Sequence, residues 1–197
     1  MQPSGSDLIT ITPKTKYYFV KIALRGISPM VWRRLRIPGN TSLAMLHYCI
    51  QIIYGWDDVH LHQFHIYGKD YGINYAGGFC YSDNPHTVYL DDFRFDVGDR
   101  FTYEYNFFEN IMHDIRIEKI KESQKVDHAI TCLSGSGMSG VTQYDVAKVK
   151  HKMLRLVVTK KGLLTKEDII RFRKELNRVE FNKNRVNIKL ASRIEIQ

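Results

Sequence analysis

The sequence predicts an α+β fold: a largely antiparallel, mixed sheet with one packed central helix, followed by a helical, basic C-terminal segment. Segments that alternate apolar and polar residues outnumber segments with helical spacing, and the two kinds do not follow each other in the regular order of a parallel α/β protein. Aromatic residues form 12% of the chain, with 12 Tyr and 10 Phe. Because aromatic side chains fit half-buried pleated surfaces, this content also favours a large sheet.

The first predicted elements are two strands. KYYFVKIALRGI (16–27) and VWRRLRIP (31–38) both alternate apolar side chains with basic ones. In the second strand the alternation places Arg33 on the same face as Leu35 and Ile37.

A helix follows these strands. Leu and Ile recur at intervals of three and four between positions 43 and 53, which is the spacing of an amphipathic helix. A hydroxyl at Thr41 or Ser42 would cap its first turn, and Gly55 would end it. Further strands are predicted from the patterns of HLHQFHIY (60–67), HTVYLDDF (86–93), RFTYEYNF (100–107) and HDIRIEKI (113–120).

Changes in composition along the chain predict one domain with an extension. Residues 1–15 are polar and expected to be disordered, residues 16–122 form the α+β domain, and residues 123–142 form a Gly/Ser-rich loop. Residues 143–197 are a basic, mainly helical extension of the same domain. Within it, RVNIKLASRIEIQ (185–197) alternates weakly and predicts an added edge strand.

The net charge of +8 is concentrated in the last quarter of the chain. Residues 150–197 carry 14 Lys and Arg against 5 Asp and Glu, a net of +9, whereas residues 1–149 carry 15 against 16, a net of −1. A basic segment of this kind favours contact with a polyanion, and nucleic acid is the expected partner. The alternative is that these residues form solvated helix faces.

Six basic residues are candidates for that contact. Guanidinium groups match phosphate oxygens, and basic side chains along a helix contact a phosphate backbone without reading its sequence. For the arginines near the N-terminus, ion pairs with Asp57, Asp58, Glu104 or Glu109 are an equal alternative. The candidates are Arg33, Arg34, Arg36, Arg171, Lys174 and Arg178.

A second group of residues forms a candidate polar site. His60 and His62 lie two residues apart, so on a strand both imidazoles point to one face, a spacing that suits metal chelation. His113, together with carboxylates of the later hairpin, would supply further ligands; the weaker metal hypothesis therefore uses His60, His62 and His113. The alternative is that these histidines are half-buried polar groups satisfied by their neighbours. The full candidate set is His47, Trp56, His60, His62, Glu104, Glu109 and His113.

Several classes of protein are disfavoured. The chain has no GxGxxG after a strand, no Walker motif and no GxSxG elbow, so no cofactor is expected. Its three cysteines are widely spaced, which argues against a disulfide framework and favours a reducing cytoplasm. No run of residues reaches the length of a membrane span, and the first residues lack the pattern of a signal peptide, so no membrane partner is expected.

Three blocks of the sequence carry a family resemblance. PMVWRRLRIP, LHYCIQIIYGWDDVHLHQFHIYG and FTYEYNFFENIMHDIRIEKI resemble, in order and spacing, three signature blocks of the plasmid pRiA4b open-reading-frame-three-like family, over residues 17–120. The matching positions are Trp32, Arg33, Arg34, Leu46, His47, Gln51, Gly55, Trp56, His60, Leu61, His62, Phe64, Tyr103, Tyr105 and His113. The resemblance implies an α+β domain associated with plasmids or insertion elements, where some members carry a transposon-passenger or resolvase-like label.

The third block departs from the family pattern. The family usually reads YxYDFGDxWxH, whereas this chain reads YEYNFFENIMH, with Asn106, Phe108, Glu109 and Ile111 in place of Asp, Gly, Asp and Trp. Replacing an Asp by Asn106 removes a charge, which would weaken a metal site or acid–base chemistry in this block. The chain therefore resembles a divergent member.

Three function classes remain after these arguments. The leading one is a non-catalytic accessory or nucleic-acid-binding protein of a mobile element. The second is a metal-dependent hydrolase or nuclease that uses His60, His62, Glu109 and His113. The third is a protein-interaction module that forms an oligomer through an apolar patch.

Overall fold

A computed structural model describes residues 14–27, 30–137 and 181–194, together with positions 165 and 167. The described residues form one seven-stranded sheet in the order β4-β3-β5-β6-β1-β2-β7, in which each neighbouring pair is antiparallel. This arrangement confirms the predicted α+β class. The strands are β1 (Thr15–Leu24), β2 (Trp32–Pro38), β3 (His62–Ile66), β4 (Lys69–Tyr71), β5 (Arg100–Tyr105), β6 (Ile111–Ser123) and β7 (Thr131–Ser136).

The helix α1 (Leu43–Tyr54) begins and ends as the sequence predicts. The Ser42 hydroxyl accepts a hydrogen bond from the Met45 backbone N–H at 3.1 Å, which satisfies a free donor of the first turn. Gly55 ends the helix in the left-handed conformation with φ 71°, which glycine adopts without a Cβ clash. The buried residues of α1 pack on one face of the sheet, called the inner face below.

The hydrophobic core lies between α1 and the inner face. Alternate residues of β1, such as Val20 and Ile22, are almost completely buried there with Leu46 and Ile50 of α1. The intervening residues of β1 and β2 point to the opposite, outer face and are only partly buried, as in Lys21. The two faces therefore have different chemistry, apolar inside and polar outside.

Three local predictions are wrong. The tail, predicted as an edge strand, is the helix α2 (Lys183–Ile194), because Val186 and Leu190 lie one turn apart and are both buried against the fold. The predicted loop 123–142 contains β7. The predicted strand 86–93 is reduced to a bridge between Tyr89 and Ser42, followed by a 3₁₀ helix at Leu90–Phe93.

The helix α2 protects the edge of the sheet. The Asn187 side chain accepts a hydrogen bond from the Cys132 backbone N–H at 2.8 Å and donates one to the Cys132 carbonyl at 3.0 Å. One amide thus satisfies the backbone N–H and C=O of an edge residue in β7. These two groups are therefore not available to pair with another strand. No helix in the described ranges is long and apolar enough to cross a bilayer.

Candidate functional site

Three polar side chains from three places in the chain meet near the inner face. His47 comes from α1, Asp58 from the turn after it, and His62 from the start of β3. One ligand atom from each of these residues lies within 4.8 Å of the other two. His47 and His62 are buried, whereas the Asp58 side chain is 29% exposed. The cluster therefore reaches solvent through its carboxylate.

A chain of hydrogen bonds connects Asp58, Gln51 and Tyr103 to His47. The Asp58 backbone N–H donates to Gln51 Oε1 at 3.1 Å, so Gln51 Nε2 is the atom that donates to the Tyr103 hydroxyl at 2.9 Å. The Tyr103 hydroxyl, with a donor and a second acceptor position still free, lies 2.8 Å from His47 Nδ1, and His47 Nε2–H donates to Asp58 Oδ1 at 2.8 Å. Burial lowers the pKa of His47, and this effect exceeds the opposing influence of Asp58.

His62 is the least satisfied member of the cluster. Its ring stacks on that of His47, with centroids 3.5 Å apart and planes 12° from parallel. Both of its ring nitrogens are buried, and neither has a hydrogen-bond partner among the described residues. Burial, with a smaller effect of His47, lowers the pKa of His62 to about 2. Buried polar groups normally have hydrogen-bond partners, so the His62 ring is one of the exceptions among the described residues.

The Tyr103 ring connects this cluster to a third buried histidine, His113. Its centroid lies 5.9 Å from that of His62 and 5.4 Å from that of His113. His113 Nδ1–H donates to the Tyr103 carbonyl at 3.2 Å, and burial lowers the pKa of His113 to about 3. Trp56 lies beside His113 with ring centroids 5.0 Å apart and stacks on Tyr105 at 4.8 Å.

The structure divides the seven predicted polar-site residues. His47 and His62 meet directly, while Trp56 and His113 belong to the adjoining aromatic cluster. His60 lies before β3 begins and packs edge-on against Tyr105, so the expected His60–His62 pair on one strand is wrong.

The two predicted carboxylates do not join the histidines. Glu104 lies on the outer face and accepts a hydrogen bond from Gln63 at 2.9 Å. Glu109 is half-buried in the turn between β5 and β6, and its Oε2 has no hydrogen-bond partner among the described residues. Within the described part of the chain, the residues that could hold a metal are His47, Asp58 and His62. Glu104, Glu109, His60 and His113 are not part of this group.

Arg33 does not face solvent. It lies on the inner face, fully buried, and donates hydrogen bonds to the carbonyls of Trp32 and Ser136, both at 2.8 Å. It has no surface with which to reach a phosphate, which corrects its assignment to the nucleic-acid surface. Arg171, Lys174 and Arg178 lie outside the described residues.

Arg34 and Arg36 lie on the outer face in ion pairs. Arg34 pairs with Glu118, with a 3.0 Å hydrogen bond between Nη2 and Oε1, and Arg36 pairs with Asp127. Internal ion pairing, the alternative raised by the sequence, therefore occurs, but with different carboxylates from those expected.

A row of four basic residues crosses the outer face. Strand register places Lys21 of β1 opposite both Arg34 of β2 and Arg116 of β6, and Arg116 opposite Arg100 of β5. These four residues are called the cationic row. Lys21 and Arg34 are partly buried, whereas Arg116 and Arg100 are exposed. Glu118 is the carboxylate among them, and the pKa of Glu118 is lowered by its hydrogen bond to Arg34, with further lowering from Lys21 and Arg116.

Comparison with known proteins assigns the chain to a family. The model of the plasmid pRiA4b ORF-3-like protein family matches residues 16–187. The chain belongs to this family. It is 30% identical over 104 residues to the uncharacterised protein y4hQ of Sinorhizobium fredii, a match that covers 51% of this chain and 52% of that protein. The chain thus spans about half the length of this curated relative.

A solved structure shares the fold. The crystal structure of a protein of unknown function, MM3350 from Methanosarcina mazei Go1, aligns with a TM-score of 0.60 and 25% identity. The alignment covers 82% of this chain and 90% of that one.

The backbone accommodates two of the departures from the family pattern without strain. Phe108, which stands where the family usually has glycine, is not among the described residues with positive φ. Asn106, which replaces an aspartate, has φ 55°, in the left-handed region where asparagine and aspartate are both enriched.

Sequence reasoning did not place Asp58, Gln51 and Tyr103 in the site. Gln51 and Tyr103 were recognised as family positions, and Asp58 entered only as a partner for arginines. The available signal was the spacing of His47, Gln51 and Asp58 across the end of α1, where the first two lie one helical turn apart.

Proposed function

We propose that the protein binds nucleic acid with little sequence preference through the outer face of its sheet, with the cationic row at the centre of contact. The single observation that supports this proposal is the register of Arg34, Lys21, Arg116 and Arg100 as direct cross-strand neighbours. The name of the family refers to a plasmid. A non-catalytic accessory protein of a mobile element would use binding of this kind.

Repulsion within the row lowers the stability of the fold, and a bound anion would relieve it. Like charges directly opposite each other on neighbouring strands are destabilising, by up to about 1 kcal/mol for each pair. Glu118 neutralises one of the four charges, which leaves a net of +3 for the row and this carboxylate. A phosphate backbone would remove the remaining repulsion and release its own counterions.

The dimensions of the row suit a phosphate backbone. Neighbouring strands lie about 4.8 Å apart, so the four side chains start along a line of roughly 14 Å. Phosphates of one strand of a duplex follow each other about every 3.4 Å along the helix axis, so this line spans several of them. Contacts of this kind position a nucleic acid and do not read its bases.

Aromatic side chains lie beside the cations. Trp32 is flanked by Lys21 Nζ and Arg34 Cζ, which lie 5.2 Å and 5.0 Å from its ring centroid. A groove of about 450 Å³ lies on the same face, and its lining includes Phe19, Arg36, Lys121 and Lys125 as well as the carboxylates Glu122 and Asp127. Aromatic rings between basic residues offer stacking surfaces for unpaired bases, so single strands are expected to bind at least as well as duplexes.

The test compares two full-length variants with equal loss of charge. The row variant carries Lys21→Gln, Arg100→Gln and Arg116→Gln, and the helix variant carries the same change at the exposed residues Lys183, Arg185 and Lys189 of α2. Binding of short single- and double-stranded DNA and RNA is measured by fluorescence anisotropy from about 50 to about 300 mM salt. With three to four phosphates contacted, the slope of log K against log salt should be about −3 for the parent.

The row variant should lose about tenfold or more in affinity at low salt, and its slope should fall by about one for each phosphate contact removed. The helix variant should stay close to the parent. Equal losses in the two variants would show only a general effect of charge, and a greater loss in the helix variant would assign the contact to the C-terminal segment. Either result, or no binding by the parent at low salt, would overturn the proposal.

A further inference from the structure

We propose that His47, Asp58 and His62 form a binding site for a divalent transition metal of the Zn²⁺ class. The inference is independent of the nucleic-acid proposal, because the two sites lie on opposite faces of the sheet. Two imidazoles and one carboxylate are the donor types that Zn²⁺ and Co²⁺ accept, whereas Mg²⁺ prefers oxygen ligands alone.

The positions of the donor atoms carry the first part of the argument. One ligand atom from each residue lies within 4.8 Å of the other two. In a tetrahedral zinc site, bonds of about 2.0–2.2 Å place ligand atoms roughly 3.4 Å apart. His47 Nε2 and Asp58 Oδ1 are at present 2.8 Å apart, so a metal between them requires only a small separation.

The second observation in favour of a metal site is the His62 ring, which is buried and lacks hydrogen-bond partners among the described residues. The side chain is only 2% exposed, and neither ring nitrogen has a hydrogen-bond partner among the described residues. A buried polar group without a partner is explained by local strain, by a functional role, or by a water or ion bound at the site. Because neither ring nitrogen is used in a hydrogen bond to a described residue, the ring can offer a lone pair to a metal.

The surroundings hold the other two ligands in place. Gln51 Oε1 accepts a hydrogen bond from the Asp58 backbone N–H at 3.1 Å. Asp58 has φ 57°, so this bond holds it in the left-handed conformation. Tyr103, which receives a hydrogen bond from Gln51, contacts His47 Nδ1 at 2.8 Å. Hydrogen bonds to the second nitrogen of a histidine ligand fix its orientation and tautomer in known metal sites.

Two rearrangements accompany binding. The His62 ring, now stacked on His47, must rotate about its Cβ–Cγ bond so that its lone pair points towards the metal, and this rotation breaks no hydrogen bond to a described residue. His47 must carry its proton on Nδ1 instead of Nε2, with the Tyr103 oxygen as acceptor, so that Nε2 faces the metal. The imidazole stays neutral throughout, and the metal replaces the hydrogen bond between His47 and Asp58.

Three protein ligands leave one coordination position for water or another ligand. Sites with three protein ligands and an open position are typical of catalytic zinc, whereas closed sites with four are structural. Asp58 is the partly exposed member of the three, so a metal would enter from its side.

The experiment is a titration of the full-length, chelator-treated protein with Co²⁺, followed by visible absorption and calorimetry. Tetrahedral Co²⁺ absorbs much more strongly than the hydrated ion, so the spectrum reports the ligand geometry and not only binding. The parent should bind one equivalent, Zn²⁺ should displace it, and Mg²⁺ should not. Metal bound to the folded state should also raise the temperature of unfolding.

Matched variants locate the site. His62→Leu and Asp58→Asn should each weaken Co²⁺ binding about tenfold or more and abolish the tetrahedral absorption. His65→Gln and Cys80→Ser, at exposed positions with similar ligand chemistry, should bind as the parent does. Asp58→Asn keeps a side chain that tolerates positive φ, so it remains informative if His62→Leu fails to fold.

Unchanged absorption in both site variants would overturn the proposal, because the metal would then lie elsewhere. Failure of the folded parent to bind one equivalent of Co²⁺ would overturn it equally. Loss of binding in the site variants, with retention in both controls, would establish it whatever the result of the nucleic-acid experiment.

Discussion

Acidification should destabilise this protein through the buried residue His113. In the unfolded chain a histidine takes up a proton near its ordinary pKa of about 6.5. In the folded protein, burial lowers the pKa of His113 to about 3, an effect only partly opposed by its hydrogen bond to the Tyr103 carbonyl. Between these two values the unfolded state binds the extra proton and the folded state does not. Stability therefore rises with pH across this window and is lost as the pH falls through it.

The size of the effect follows from the width of the window. One histidine in this situation changes the free energy of unfolding by about 1.4 kcal/mol for each pH unit. Between pH 7 and 4.5 His113 should thus remove about 2.5 kcal/mol, because the full slope applies only below the unfolded pKa, and this is a large part of the stability of a typical domain. Urea unfolding followed by tryptophan fluorescence at about pH 7 and about pH 4.5 measures the total loss, to which the buried His47 and His62 also contribute.

The variant His113→Gln isolates the contribution of His113. Glutamine does not titrate, so the variant should be less stable than the parent at neutral pH but should lose about 2.5 kcal/mol less on acidification. His65→Gln, which removes an exposed histidine, is the control and should titrate as the parent does. If the parent and His113→Gln lose the same free energy between the two pH values, His113 is not neutral in the folded protein and the reasoning is refuted.

Three further predictions test the outer face, the edge of the sheet at β7 and the cap of helix α1. Glu118→Gln should strengthen nucleic-acid binding and steepen its salt slope by about one, because it releases Arg34 and raises the charge of the row. Weaker binding of this variant in anisotropy measurements would count against contact through the cationic row. Asn187→Ala should lower the free energy of unfolding by about 1–3 kcal/mol in urea, since both backbone groups of Cys132 lose their partner, and an unchanged midpoint would show that the contact is unimportant. Ser42→Ala should cost about 1 kcal/mol in the same assay through loss of the cap on α1, whereas Ser42→Asp, which restores an acceptor, should not.

Local patterns predicted the parts of the fold that depend on local physics. The helix α1 was predictable because its apolar spacing, its hydroxyl cap and its terminal glycine all agree. Alternation also placed Arg33 on the same face of β2 as Leu35, and in the structure this is the inner face, which lines the core. Its assignment to a nucleic-acid surface was wrong because arginine was taken as exposed despite that pattern, whereas the buried guanidinium is satisfied by backbone carbonyls.

The tail and both sites depend on contacts that are distant in sequence. Weak alternation in 185–197 was outweighed by the packing of Val186 and Leu190, which requires β7 and α1 to be in place. The cationic row exists only because an irregularity after Phe19 shifts the register of β1 against β6 and brings Lys21 opposite Arg116. The role of Asp58 likewise depends on a left-handed turn held by Gln51.

The central claim is that the outer face, and not the C-terminal helix, contacts nucleic acid. Lysine footprinting of the unmodified protein tests it most directly: an amine-reactive reagent is applied with and without single-stranded DNA, and labelling is quantified by mass spectrometry. Contact through the outer face should protect Lys21, together with Lys121 of the adjoining groove, while Lys183 and Lys189 of α2 are labelled as before. Protection of Lys183 and Lys189 with unchanged labelling of Lys21 would contradict it.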